Sequence, residues 1–306
     1  MNILVLGSSG EIGTNLSLML QSQGHKVTGV DKRENTWTDK IRTIIYDLSI
    51  DSEGIPSEDY DVIVNFAANA KVHELVEYPE RAMDNIKIIF NVLEYCRMKN
   101  KPLIFSSSRE VYGDIRRYVT SEESSDFHFS ESPYSASKIS GEALIYSYAK
   151  CYQLPYLVFR FSNVYGRFDS DISRMERVIP LFIEKIRNNE QLTIFGEDKT
   201  LDFTYVDDCV SGTISGIEKI HSGELKNKTI NLAFGEGKTL IQLAQMIGKE
   251  LDIKPKMIVE DSRVGEVTHY VADISKAKKY LDYNPVTNLN NGIKKAIKWQ
   301  REYYGW

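Results

Sequence analysis

The chain has 306 residues, of which 42% are hydrophobic and 26% are charged, and its formal net charge at pH 7 is −5. These values are typical of a globular protein with a large core, and a negative charge without a basic stripe excludes a nucleic-acid-binding surface. No apolar stretch approaches the ~20 residues of a membrane span, and the first apolar run is too short for a signal peptide. We therefore expect a cytoplasmic protein that binds neither nucleic acid nor membrane.

The sequence begins with a short apolar strand and a glycine-rich turn. Residues 3–6 have the pattern of a buried strand, Gly7-Ser-Ser-Gly10-Glu-Ile-Gly13 follows, and apolar residues at helical spacing come next. Glycines in such a turn let the backbone approach a pyrophosphate closely, and the first N–H groups of the helix face its charge. The order of strand, turn and helix predicts a dinucleotide-binding site.

The next predicted strand, residues 27–30, ends beside an acidic residue. Asp31 lies 18 residues after Gly13. A carboxylate at this place can accept hydrogen bonds from both ribose hydroxyls of NAD, and it repels the additional phosphate of NADP. Although Lys32 and Arg33 follow at once, we expect NAD as the cofactor.

Strands and helices alternate through the first half of the chain. Further strands are predicted at residues 42–46, 62–66, 103–105 and 156–161, and helices at residues 80–98 and 137–151. This alternation predicts a parallel sheet that is covered by helices on both faces. After Gly166 the pattern is less regular, with helices predicted at residues 175–188, 240–251 and 293–303 and a short strand at residues 192–195.

Several polar or small residues are predicted to follow the carboxyl ends of these strands, where parallel sheets bind their ligands. They are Asp31, Asp47, Ala67, Ala68, Asn163 and the three serines Ser106, Ser107 and Ser108. Each alone is explained by a cap or a turn. Their shared position at one edge of the sheet predicts a binding site there, and the polar residues 115–132 are predicted to form a surface loop over it.

A tyrosine and a lysine four residues apart have the most informative spacing in the chain. Tyr134 and Lys138 fall on one face of a helix, so their polar ends can converge. A free phenol has a pKa near ~10 and is a poor base at neutral pH. An ammonium beside it stabilises the phenolate, which can then take a proton from an alcohol.

Taken together, these motifs resemble the extended short-chain dehydrogenase/reductase family, the NAD-dependent epimerases and dehydratases of nucleotide-linked sugars. The resemblance rests on Gly7–Gly13, Asp31, Asp47, Phe66-Ala-Ala68, Asn85, Ser106-Ser-Ser108, Val111-Tyr-Gly113, Tyr134, Lys138, Asn163 and Arg263-Val-Gly-Glu266. It implies a Rossmann-type doubly wound parallel sheet in residues 1–165, to which residues of about 200–235 return. Residues 166–306 would form a smaller α/β part that binds the nucleotide-sugar substrate.

The resemblance also implies roles for individual residues. Ser108, Tyr134 and Lys138 would be catalytic, with Lys138 also bonded to the nicotinamide ribose. The residues implied to bind or support the cofactor, besides Tyr134 and Lys138, are Gly7, Gly10, Glu11, Ile12, Gly13, Asp31, Asp47, Leu48, Phe66, Ala67, Ala68, Asn85, Ser106 and Phe161. Asp47 would bind the adenine amine, and Asn85, at a predicted helix start, would brace the strand that carries the serines.

On the substrate side, the resemblance implies that Asn163 and Arg263 bind the phosphates and that Glu266 binds a nucleotide ribose. Val178 would belong to a helix that closes over the nucleotide. The chain departs from the family at Leu201, which stands where a second phosphate-binding arginine is usual and offers no donor. Lys199, two residues earlier, is the expected replacement.

Glu110 leaves the reaction open. It matches a glutamate that 4,6-dehydratases of this family use as a base at sugar C5, and that is found also in the related decarboxylases. Arg109 stands where many dehydratases have an acidic aspartate, and a guanidinium cannot donate that proton at neutral pH. We favour C4 epimerisation through a 4-keto sugar. Dehydration or uronate decarboxylation with Glu110 as a catalytic base, and a non-catalytic NAD-binding protein, remain as alternatives.

The remaining residues give no sign of a metal site. Cys96, Cys151 and Cys209 are far apart in sequence, and the five histidines are scattered. We therefore expect neither a bound metal nor a disulfide framework. The family resemblance further implies a homodimer formed through the helices predicted at residues 80–98 and 137–151.

Overall fold

The computed structural model describes residues 1–114, 119–125, 128, 130–169 and 177–306. The strands, in chain order, are β1 Asn2–Leu6, β2 Lys26–Asp31, β3 Thr43–Ile45, β4 Val62–Asn65, β5 Leu103–Ser108, β6 Tyr156–Phe161, β7 Asn163–Tyr165, β8 Gln191–Phe195, β9 Thr200–Tyr205, β10 Lys228–Leu232, β11 Gly237–Thr239, β12 Lys256–Glu260 and β13 His269–Tyr270.

The helices are α1 Glu11–Ser22, α2 Val72–Glu77, α3 Glu80–Lys99, α4 Pro133–Tyr152, α5 Val178–Arg187, α6 Val206–His221, α7 Leu240–Leu251, α8 Ser275–Leu281 and α9 Leu289–Tyr304. Two short 3₁₀ turns cover Arg109–Tyr112 and Glu122–Ser124. Among the described residues, no helix is long and apolar enough to cross a membrane.

A parallel sheet of seven strands organises the larger part of the molecule. Its strand order is β10-β6-β5-β4-β1-β2-β3. Along β1, Leu4 and Leu6 pack with α3 and α4 on one face, while Ile3 and Val5 pack with α1 and α6 on the other. Because both faces are covered, the central strands β1 and β4 are almost entirely apolar, while polar residues lie mainly at the ends of the others. The predicted doubly wound parallel sheet is confirmed.

Local sequence explains why α4 begins earlier than the periodicity predicted. Ser132 is its N-cap: its hydroxyl accepts a hydrogen bond from the Ser135 backbone at 3.2 Å, and the Ser135 hydroxyl bonds back to the Ser132 N–H at 3.0 Å. Pro133 occupies the first helical position, where the missing N–H costs nothing. Helix periodicity alone indicated a start at residue 137. The cap instead places Tyr134 in the first turn.

The C-terminal part contains two smaller sheets. One pairs β11, β9 and β13, with β7 joined to β9, and the other pairs β8 with β12. The family resemblance implied that residues of about 200–235 return to the large sheet. Within this range, β10 belongs to that sheet and lies at its edge, beside β6. Strand β9 instead belongs to the smaller sheet, because its neighbours β7, β11 and β13 occupy its edges.

Three further predictions need correction. The three serines do not follow β5 but form its last residues, because β6 continues to pair with them up to Ser108. The helix predicted at residues 175–188 begins at Val178, and residues 175 and 176 lie outside the described part of the chain. Within residues 115–132, Glu122 is buried and accepts a hydrogen bond from the Asn231 backbone at 2.9 Å, so this stretch is not only a surface loop.

Candidate active site

The glycines of the first turn serve two different purposes. Gly7 has a φ of +84°, and a Cβ on it would lie 2.6 Å from the Ala67 nitrogen, while a Cβ on Gly13 would lie 2.1 Å from the Gly7 oxygen. Both glycines are therefore required by the fold itself. Gly10 differs, since the nearest atom to a Cβ there is 3.6 Å away. The chain leaves open space above Gly10, at the beginning of α1, which fits close approach by a ligand.

The neighbouring groups suit a dinucleotide. Gly10 is the N-cap of α1 and has no side chain to bond the first N–H groups, which remain available to phosphate oxygens. The Asp31 carboxylate accepts bonds from the Ser9 and Arg33 backbones, each at 3.0 Å. A carboxylate offers about four acceptor positions, so two remain for ribose hydroxyls. The Lys32 ammonium bonds to the Asn69 side chain at 2.8 Å instead of standing free for a ribose phosphate.

Other residues implied to bind the cofactor lie along the same edge of the sheet. Asp47 accepts a bond from the Ser49 backbone at 2.9 Å. The rings of Phe66 and Phe161 pack edge to face with centroids 5.8 Å apart, at the ends of β4 and β6. The remaining members of this edge are Leu48, which is buried, and Ile12, Ala67 and Ala68, which are half-buried.

Asn85 does not occupy the predicted position. It lies in the second turn of α3, so it is not a helix-start residue. Its amide oxygen accepts a bond from the Asn69 backbone at 2.7 Å, and its nitrogen donates to the Asn69 carbonyl at 3.0 Å and to the Ser137 hydroxyl at 3.1 Å. Asn85 therefore links the segment after β4 to helix α4. It makes no such bond to the strand that carries the serines.

Ser108, Tyr134 and Lys138 come together between β5 and α4. The Ser108 side chain lies close to the Tyr134 phenol and, as a hydrogen-bonding group, acts to lower its pKa. The Lys138 ammonium donates to the Ser106 carbonyl at 2.7 Å and lies 5.8 Å from the centroid of the Tyr134 ring. All three residues thus lie around the last residues of β5, and the Lys138 ammonium bonds to the backbone of that strand rather than to the phenol.

Burial changes the acidity of this group. It raises the pKa of Tyr134 to about 12, although the Ser108 side chain opposes the change. It lowers the pKa of Lys138 to about 8, against the attraction of Glu142 one turn further along α4. In the protein without ligands, the lysine is therefore the more acidic member of the pair.

Glu110 forms an ion pair with its neighbour. Arg109 Nη2 lies 2.9 Å from Glu110 Oε1, and the Glu110 side chain is buried. Burial raises the pKa of this carboxyl, while Arg109 opposes the rise. The Glu110 N–H donates to the Ser108 hydroxyl at 3.2 Å, which fixes the turn beside the reacting group. The carboxylate is thus close to the site, but it is held by a cation.

The segment from Arg263 to Glu266 packs against the catalytic helix. Gly265 has a φ of +83°, and a Cβ on it would lie 3.4 Å from the Glu131 carbonyl and from the Ser132 side chain at the start of α4. Two residues further on, the Thr268 backbone and hydroxyl both donate to Asp114 at 2.7 Å. Asp114 follows the 3₁₀ turn of Glu110. These contacts link the segment both to the start of α4 and to Asp114, which follows the turn that contains Glu110.

Two charged residues of the substrate side, Lys199 and Glu266, are paired with each other. Lys199 is buried, and its ammonium bonds to the Glu266 carboxylate at 2.5 Å, so it does not stand free in place of the missing arginine as we expected. The Arg263 guanidinium is exposed and lies 4.0 Å from the centroid of the Phe195 ring. Leu201 is buried within β9, where it packs in the core.

Asn163 and Val178 occupy less exposed places at the same edge. The Asn163 amide donates to the Asp202 carbonyl at 3.0 Å, which leaves its oxygen and one N–H for another partner. Val178 is the first residue of α5 and packs on the core.

Comparison with known proteins is consistent with this site. The sequence profile of the NAD dependent epimerase/dehydratase family matches residues 3–233. The chain belongs to this family. It is accordingly an NAD-dependent enzyme, and the predicted family and cofactor are confirmed.

Individual proteins are similar over their whole length. The chain is 30% identical to an uncharacterized UDP-glucose epimerase of Bacillus subtilis, with 99% of each chain covered. The crystal structure of UDP-glucose 4-epimerase from Thermotoga maritima, with UDP-glucose, superposes with a TM-score of 0.90 at 27% identity, covering 99% of this chain and all of that one. UDP-glucuronic acid 4-epimerase from Bacillus cereus, in complex with UDP-glucuronic acid and NAD, gives 0.87 at 26%, with the same coverage.

The sequence missed two polar clusters around this epimerase/dehydratase site. Arg177 bonds both Glu11 and Asp169, and so joins the start of α1 to the residue before α5. Glu142 accepts bonds from the Ser107 hydroxyl at 2.6 Å and from Arg160 Nη2 at 2.7 Å. Only Glu142 had a signal in the sequence, because it lies four residues after Lys138 on the same helix face.

Proposed function

We propose that this enzyme epimerises the C4 centre of a UDP-linked hexose through a transient 4-keto sugar. The observation that carries the proposal is the buried Tyr134 phenol, which lies beside Ser108 and has the buried Lys138 ammonium 5.8 Å from its ring centroid. Both solved structures reported above are UDP-sugar 4-epimerases, and they cover the whole chain.

In this proposal, Tyr134 takes the proton of the C4 hydroxyl, and Ser108 holds that oxygen through its own hydroxyl. Lys138 stabilises the phenolate electrostatically and positions the cofactor ribose. Bound NAD would supply the acceptor for the C4 hydride and the donor for its return to the opposite face of the sugar. Tyr134 then gives the proton back to the C4 oxygen.

The binding roles of the other residues are also part of the proposal. The open space above Gly10 and the N-terminus of α1 would bind the pyrophosphate of NAD, and Asp31 would bind a ribose. For the nucleotide sugar we assign Asn163 and Arg263 to the phosphates and Glu266 to a nucleotide ribose. Lys199 would act mainly by holding Glu266, because their charged groups are bonded to each other.

We also propose a cytoplasmic homodimer formed through α3 and α4. The exposed face of α3 carries Met83, Phe90 and Met98, with exposures of 55%, 47% and 74%. Helix α4 carries the small exposed residues Ala136, Ala143 and Ser147, which would permit close helix packing. Light scattering should give twice the 35.0 kDa chain mass, and Phe90→Glu should lower it. A monomer in the unchanged protein would contradict the dimer.

The decisive experiment for the function is incubation of the enzyme and NAD with UDP-glucose, UDP-glucuronate and UDP-N-acetylglucosamine, followed by proton NMR. We expect the C4 epimer of at least one of them, with its characteristic coupling at H4. A 4-keto-6-deoxy product, a decarboxylated sugar or no conversion at all would each contradict C4 epimerisation. Bound NADH without product would point to oxidation without return of the hydride.

A further inference from the structure

We propose that Arg109 is a positioning residue that prevents Glu110 from acting as a base on the keto sugar, and so restricts the enzyme to epimerisation. The inference rests on the proposed function, because it concerns the 4-keto intermediate. It assigns to Arg109 a control over which reaction occurs, without contact with the reacting atoms.

Glu110 is close enough to the chemistry to interfere with it. Its N–H donates to the hydroxyl of Ser108, the residue proposed to hold the C4 oxygen. Its charge acts on the Tyr134 phenol and raises the pKa of that group, a minor effect beside burial. If it turned freely, a carboxylate beside the residue that is proposed to hold the C4 oxygen could approach the ring carbons next to C4.

The hazard follows from ordinary carbonyl chemistry. A ketone at C4 acidifies the C5 hydrogen. A free Glu110 carboxylate could take that proton, forming its own O–H bond while the electron pair of the C5–H bond becomes the C4–C5 enolate. Exchange of the carboxyl proton with solvent and its return to C5 would restore the ketone. An epimerase requires the hydride to return to C4 with C5 undisturbed.

The structure shows how Glu110 is restrained. Oε1 is bonded to Arg109, and Oε2 is buried without a hydrogen-bond partner among the described residues. Arg109 Nη1 is likewise buried and without such a partner. Buried polar atoms without partners destabilise a fold, and an apolar pair of similar size is often more stable than a buried ion pair. Stability therefore does not explain why the pair is present.

No other described cation near Glu110 takes the place of Arg109. Lys199 and Glu266 act on Glu110 from the substrate side, but the Lys199 ammonium is bonded to Glu266 itself. Arg109 also acts on the Tyr134 phenol and on the buried Tyr270 hydroxyl, and burial raises the pKa of both groups. The Val267 backbone N–H also favours the charged form of Glu110, but among the described side chains Arg109 is the one that forms an ion pair with this carboxylate.

The test follows hydrogen exchange at C5 during turnover. The holoenzyme is incubated in D₂O with UDP-glucose, UDP-glucuronate and UDP-N-acetylglucosamine in separate tubes. For each sugar that is epimerised, NMR measures deuterium at C5 against the amount of C4 epimer in the same tube. We expect the unchanged enzyme to form epimer without deuterium at C5. Arg109→Met should raise C5 deuteration per epimer formed at least tenfold, and Arg109→Met combined with Glu110→Gln should abolish the increase.

Two matched variants keep the test decisive. Arg109→Lys retains a cation and should keep C5 exchange low. If Arg109→Met does not fold, Arg109→Ala leaves room for water beside the carboxylate and replaces it. Normal epimerisation by Arg109→Met or Arg109→Ala without C5 exchange would overturn the proposal, as would equal exchange in the double variant. Loss of both epimer and exchange in folded Arg109→Ala would also contradict it. Absence of epimer with the unchanged enzyme contradicts the proposed function instead.

Discussion

The cofactor side and the substrate side of this enzyme are built in different ways. On the cofactor side, backbone geometry forms the site: Gly7 and Gly13 shape the turn, α1 presents its N–H groups, and backbone N–H groups hold Asp31. On the substrate side, side chains form the site: Lys199 and Glu266 are bonded to each other, and Arg263 lies over the Phe195 ring.

This difference has a physical consequence. A site made by the backbone is already in its binding geometry, so little conformational entropy is lost when a ligand binds. A site made of paired charges must exchange internal contacts for ligand contacts. We therefore expect changes on the cofactor side to act mainly on NAD affinity, and changes on the substrate side to alter substrate affinity and reaction outcome.

The largest effect is expected where the two sides meet. Tyr134→Phe removes the proton acceptor but keeps the ring, and it should lower kcat by about a thousandfold, since general acid–base groups typically contribute 10²–10⁴-fold. NAD affinity should remain within a fewfold of the original value. Steady-state rates and NAD titration by fluorescence check both parts. Substantial remaining activity would eliminate Tyr134 as the base.

The pH dependence tests the same pair. The active form has a phenolate beside an ammonium, so it carries one proton fewer than the fully protonated pair. The pair loses its first proton near the pKa of Lys138, which is about 8. The value of kcat/KM should therefore rise by about tenfold per pH unit below that value and level off above it. A profile that falls steadily between pH 7 and pH 9 would contradict this assignment.

Gly10→Ala separates cofactor binding from folding. The backbone of Gly10, with φ −79° and ψ 170°, suits alanine, and the added Cβ meets no protein atom closer than 3.6 Å. We expect the free energy of unfolding to be almost unchanged, while NAD affinity falls by about ten- to a hundredfold, or about 1.4–2.7 kcal/mol.

Gly13→Ala is the matched control for that substitution. Its Cβ would lie 2.1 Å from the Gly7 oxygen, so we expect it to lower stability, by about 1–3 kcal/mol as in other overpacked sites. Denaturant titration with and without NAD distinguishes the two variants. Equal loss of stability in both would mean that Gly10 is also structural.

The smallest effect on turnover is expected from Asp202→Asn, which acts only on the scaffold of the substrate side. The buried Asp202 carboxylate accepts bonds from the Phe234, Gly235 and Ala272 backbones. An amide supplies only one acceptor atom, so stability should fall by about 1–3 kcal/mol. Denaturant titration measures the loss. An unchanged midpoint would show that these bonds do not stabilise the fold.

Much of the cofactor side could be predicted from the sequence because its signals are local. The alternation of strands and helices, the spacing of Gly7, Gly10 and Gly13 and the position of Asp31 each depend on neighbouring residues. The early start of α4 also had a local signal in Ser132 and Pro133, which apolar periodicity does not detect. Asn85 was misplaced because its partners, Asn69 and Ser137, are distant in sequence.

The sequence by itself determined the parallel sheet, the dinucleotide turn and the shared helix face of Tyr134 and Lys138, since strand period, turn geometry and helix period are properties of short segments. Only the tertiary structure decided which charges are paired. Lys199 meets Glu266 across 67 positions, and the burial that makes the ion pair of Arg109 and Glu110 significant comes from distant segments. Pairing and burial depend on how helices and strands pack together, and this packing is not determined by the residues of any one short segment.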